Sequence, residues 1–121
     1  MKPRVAQSLR DALDFIQNIN WIVSQRAGYD YRRYQREPVI RWALERQFGN
    51  LGRALERGCD SDPWLRHEVP EIGQMIAFQT NISKKYDQVD DEVVWSTAIN
   101  DMDDLRRSIQ NILQDAGELR K

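Results

Sequence analysis

The chain has a single cysteine, Cys59, and a single histidine, His67. A lone thiol cannot close an internal disulfide, and one histidine beside one cysteine is too few soft ligands for a zinc site. Disulfide scaffolds and zinc domains are excluded on that count, and no metal site is assigned. An excess of one charge is also missing. Eighteen Lys and Arg oppose nineteen Asp and Glu, a formal net charge of −1, so no global basic field drives the chain onto nucleic acid. No apolar run approaches the roughly eighteen residues that a membrane span requires, and the opening MKPRVAQSLRDALDF lacks the apolar stretch of a secretory signal. A cytoplasmic protein with no membrane association is the expectation. Internal repeats, low-complexity segments and strand-like alternation are absent from the pattern as well.

What is present suffices for a core. Hydrophobic residues make up 40% and charged residues 31% of 121 positions. That balance fits one folded domain over residues 1–121 rather than a disordered chain. Val5, Leu9, Leu13, Ile16, Ile19 and Val23 recur every three or four residues, which places an apolar stripe on a helix from about Pro3 to Arg26. Gly28 suits a left-handed cap after it. YDYRRYQREP has no clean period and is expected to be a loop with at most a helical turn. Pro38 can open a second helix, which Ile40, Leu44, Phe48, Leu51 and Leu55 carry to about Arg57. Gly49 and Gly52 lie inside it at a cost of about 1 kcal/mol each relative to alanine, which points to a close backbone neighbour. RGCDSDP reads as a break, with Gly58 as the helix stop.

A third helix is expected from Pro70 to about Lys85, on Ile72, Met75, Ile76 and Ile82. Asp90 is a good N-cap for a long fourth helix, with Asp91 and Glu92 at the positive end of its dipole. Val94, Ala98, Met102, Leu105, Ile109 and Leu113 continue its stripe. Four amphipathic helices with short connections imply an all-α, antiparallel four-helix bundle.

Few residues stand out as chemistry. Tyr29, Tyr31 and Tyr34 alternate with Arg32, Arg33 and Arg36, a mixture able to stack on bases and hold phosphates, and equally suited to a protein interface. Trp42 and Trp64 are expected to pack in the core, and Trp95 to cover the bundle end or meet a second subunit. Cys59 has no local histidine to activate it and is read as a structural turn residue. His67 is read as a surface residue before the third helix. Asp103 and Asp104 precede Arg106 and Arg107 at helical spacing, which explains them as ion pairs rather than metal ligands.

The segment IGQMIAFQTNISKKYDQVDDEVVW resembles the end of the third helix and the start of the fourth in the HepT-like branch of the HEPN family, the toxin side of HEPN and minimal-nucleotidyltransferase modules. DALDFIQNI is similar to that family's first helix and PVIRWALERQFGNLGRALE to its second, so the resemblance covers roughly residues 4 to 115. It implies a HEPN-like bundle, a homodimer, a minimal-nucleotidyltransferase antitoxin as partner, and metal-independent endoribonuclease activity without a cofactor. The family's motif is Arg, four residues, His, one residue, Tyr. Its matching positions here are Gln79, Lys84 and Tyr86, of which only the tyrosine agrees.

The departures bear on chemistry. Glutamine brings no charge to a phosphate that gains negative charge in the transition state. Lysine, with a reference pKa near 10.4, is protonated at neutral pH and is a poor general base. A nuclease that is reduced or lost is therefore expected, with Tyr86 as the AMP acceptor that the resemblance implies, and Lys85, Arg32 and Arg33 as candidate RNA contacts. Two other readings are a catalytically silent interaction protein, binding a nucleotidyltransferase or an active homologue, and an RNA-binding regulator.

Overall fold

The structure, a computed structural model, describes residues 1–84 and 89–118, with the side chains of Ser83 and Lys84 excepted. Helix α1, Pro3–Trp21, begins on a proline whose missing N–H is unused in a first turn. It continues into a π-helical turn, Ile22–Arg26. There the Ala27 N–H donates to the Ile22 carbonyl five residues back, at 3.0 Å. Gly28 and Tyr29 then both take a φ of 58° and reverse the chain, and the Tyr29 N–H closes the helix end on the Val23 carbonyl at 2.9 Å.

The stretch expected to be a loop contains α2, Tyr31–Arg36, whose Asp30 side chain accepts from the Arg32 and Arg33 N–H groups. Helix α3, Pro38–Ser61, passes beyond Arg57. Gly58 does not stop it. A Cβ there would lie 3.2 Å from Leu65 Cδ2 and 3.5 Å from Ser8 Cβ, so this glycine admits neighbours instead. The stop comes from Pro63, which drives Asp62 to an extended backbone (φ −140°, ψ 92°). A short α4, Leu65–Glu68, precedes α5, Pro70–Lys84.

The long fourth helix expected after Asp90 is two helices, α6 (Asp91–Asn100) and α7 (Met102–Asp115). Asp90 caps α6 as expected, accepting from the Glu92 and Val93 N–H groups. The interruption falls on Asp101, preceded by Asn100 at the end of α6, residue types whose short polar side chains favour turns over helix interiors. The apolar stripe continues across it, which is why periodicity could not reveal it.

These helices form an all-α bundle, with no strand among the described residues. Its four rods are α1 with its π turn, α3, α5, and α6 with α7. Asn18 bonds Gln47 at 3.1 Å, and Asp11 lies 3.8 Å from Arg57, so α1 and α3 run antiparallel. Arg10 pairs with Glu118 at 2.7 Å and ties the first half of α1 to the turn that follows α7. Between the rods Leu9, Ile16, Ile19, Leu44, Phe48, Leu51, Leu55, Ile72 and Ile109 are fully buried, and burial of such side chains is the main favourable term in folding.

Two tryptophans depart from expectation. Trp42, on the outward side of α3, is 65% exposed, and Trp64, in the turn that caps α4, is 69% exposed. Trp95 packs inward, with its ring 5.1 Å from Tyr34 and 6.1 Å from Tyr31. No helix among the described residues is long and apolar enough to cross a membrane.

Candidate functional site

The site builds outward from the crossing of α3 and α5. Phe48 on α3 meets Phe78 on α5 edge to face, with ring centroids 5.1 Å apart. One turn along, the backbones approach so closely that a Cβ on Gly52 would stand 2.5 Å from both Cβ and Cγ of Gln79. Only glycine fits there. The close neighbour expected for this glycine is thus the motif helix, whereas a Cβ at Gly49 would meet only the flexible guanidinium of Arg53. Gln79 is 92% buried as a result, with 8% relative exposure.

Beyond Gln79, α5 exposes Asn81 and half-buries Ile82. These two, with Phe78, Val89, Asp90, Val93 and Val94, line a cleft of 380 Å³ between the end of α5 and the start of α6. Lys84 is the last residue of α5. Its side chain, together with Lys85 and Tyr86, lies outside the described residues, so the Lys84 and Tyr86 side chains of the motif have no described geometry.

Alongside sits a charged group that sequence reasoning missed. Arg41 Nε lies 3.9 Å from the Asp91 carboxylate. Glu45, one turn along α3, has its carboxyl pushed above the ordinary range, first by burial and then by Asp91, against the opposing pull of Arg41. Tyr34 reaches the same group from α2, and burial, followed by Asp91 and Glu45, raises its phenol. Its hydroxyl is buried without a hydrogen-bond partner among the described residues. The available signal was Glu45 itself, a carboxylate one residue after Leu44 on a helix that buries the neighbouring face.

Other candidates fall elsewhere. Arg33 is ion-paired to Glu37 at 3.2 Å, and Arg32 is exposed at the start of α2. Cys59 is 5% exposed. It lies in the last turns of α3, and burial raises its thiol despite the opposing influence of Arg66. That is the reverse of what a nucleophile needs. His67 is exposed in α4, its ring 5.3 Å from Trp64. The ion pairs expected in α7 are present, Arg106 to Asp103 at 3.4 Å and Arg107 to Asp104 at 2.6 Å. Among the described residues no three His, Cys, Asp or Glu side chains are grouped to hold a metal ion.

A protein-family comparison matches residues 9–112 to the family described as Ribonuclease HepT-like. The chain belongs to the HepT-like ribonuclease family. The match spans α1 to α7, and so includes the α3–α5 crossing and the Gln79 position. No curated protein and no solved structure gives a significant match.

Proposed function

We propose that this HepT-like protein is the toxin-side member of a HEPN and minimal-nucleotidyltransferase module. In this reading it is one HEPN domain over residues 1–121, acts as a cytoplasmic homodimer, and cuts RNA far more slowly than relatives that carry the full motif. Family membership supports the general activity. The observation that carries the loss of rate is the setting of Gln79, an uncharged side chain 92% buried against Gly52.

Cleavage of RNA without a metal needs a base to take the ribose 2′-hydroxyl proton and a cation to stabilise the charge growing on the phosphate. Gln79 supplies no charge. Lys84 stands at the family's histidine position, and an ammonium has no lone pair with which to accept a proton. Both deficits act on the transition state, so binding of RNA can persist while turnover falls. Tyr86 occupies the family's AMP-acceptor position. Adenylylation there would place a phosphodiester and an adenine next to Lys84 and Lys85, changing both charge and shape at the end of α5.

The test is incubation of purified protein with end-labelled RNA in chelator, comparing this chain with Gln79→Arg/Lys84→His. Much faster cleavage by the double variant supports the reading. Cleavage by the unaltered chain at the rate of the double variant, lost in Lys84→Ala, overturns the argument from missing charge and missing base.

A further inference from the structure

A second surface lies away from the α3–α5 crossing, where the π turn meets the α2–α3 junction. It is a groove of 620 Å³. Ile22, Ile40 and Ala43 form its floor. Trp21, 50% exposed, and Val39, 71% exposed, stand at its edges. Trp42 adds another exposed aromatic on the same stretch of α3. Arg26, Arg33 and Arg36 line the groove against one carboxylate, Glu37. Glu37 is already paired to Arg33, so the uncompensated charge is that of Arg26 and Arg36.

We propose that this groove docks an acidic, amphipathic segment of a protein partner, with one or two apolar side chains seated on the Ile22–Ile40–Ala43 floor and carboxylates meeting Arg26 and Arg36. Tryptophan and arginine around an apolar depression are the residue types that dominate protein–protein binding energy. The unbalanced arginine charge calls for an acidic occupant, and the covered face of Trp21 sets a nucleic acid apart from a protein. Single-stranded RNA binds through bases stacked on open aromatic faces. Here the Arg26 guanidinium sits 5.1 Å from the Trp21 ring centroid and covers one face, and the rest of the floor is aliphatic.

This inference stands on the groove alone and is independent of whether RNA is cut. The test uses the full chain and a helical probe peptide of about sixteen residues, with Leu or Trp at i and i+4 flanked by Glu. A counterpart carries Lys for Glu. Binding is followed through the indole N–H signals of Trp21 and Trp42, with Trp64 as reference. The acidic peptide is expected to shift the first two and leave Trp64 in place. Arg26→Ala, Arg36→Ala and, separately, Val39→Asp should each weaken binding about tenfold while the helical circular dichroism stays unchanged. Equal binding by the lysine peptide, or no shift at Trp21 and Trp42, overturns the proposal. So does an oligouridylate that binds the same residues more tightly, or self-association lost on changing Arg26 and Arg36.

Discussion

The Cβ that Gly52 lacks would lie 2.5 Å from both Cβ and Cγ of Gln79. Gly52→Ala therefore has to push α3 and α5 apart, and overpacking of this kind costs about 1–3 kcal/mol. Alanine at 79 keeps one of the two clashing atoms, so only Gln79→Gly removes both. In a double-mutant cycle read by urea unfolding, Gly52→Ala/Gln79→Gly should lose less stability than the sum of its single changes. Additive losses would mean that the two backbones are not in contact.

Phe48 is fully buried and meets Phe78 edge to face. Phe48→Ala should cost about 3–5 kcal/mol, combining lost transfer energy with the cavity left behind. Phe48→Leu should recover most of that loss in the same thermal or chemical unfolding series.

Glu45 has a folded pKa raised above the ordinary value near 4.5. The native state therefore holds a proton that the unfolded state has released, between about pH 4.5 and the raised folded value. Stability contributed by this group falls as pH rises through that window and remains lower at neutral pH. Glu45→Gln removes the effect. The variant should melt higher than the parent at pH 7, and the gap should close as pH falls to 4, measured by circular dichroism across that range.

Asp90 accepts from the N–H groups of Glu92 and Val93 at 2.9 and 3.4 Å. Asp90→Ala should cost about 0.5–2 kcal/mol, as loss of an N-cap usually does. Asp90→Asn should restore much of it, and faster amide exchange should be confined to the first turn of α6.

Cys59 gives a check on burial. At 5% exposure, and with burial raising its thiol, it should react with Ellman's reagent on the order of a hundredfold more slowly in the native state than in guanidinium. Comparable rates would place it at the surface.

Helix positions are legible in the sequence wherever an apolar stripe and a terminal signal coincide. Pro3, Pro38 and Pro70 open helices, Asp90 caps one, and Leu9, Ile16, Leu44 and Leu105 are core. The failures have specific causes. Gly58 has the look of a stop because glycine commonly ends helices, yet its missing side chain makes room for Leu65 and Ser8. Asp101 divides the last rod while the stripe on either side stays in phase. Size alone places Trp42 inside, but its position on α3 faces outward, and only the neighbours of a helix decide which face is covered. At the site, the glycine at 52 signals a close approach without naming its partner, since Gln79 lies 27 positions away in sequence. The group of Arg41, Glu45, Asp91 and Tyr34 gathers three segments, and no local pattern encodes such a meeting.

The π turn at Ile22–Arg26 gives chain length a role at one point that residue identity does not have. A π turn holds about one residue more than an α turn over the same stretch. Removing one residue between Trp21 and Arg26 would let the ladder close as an α-helix over the same stretch and leave the segment that follows close to its present course. The arginine would then stand four residues from the tryptophan, the spacing at which side chains on an α-helix are neighbours. A relative one codon shorter there would keep an arginine on its indole, and only an alignment that opens its gap inside the π turn would bring the two pairs into register.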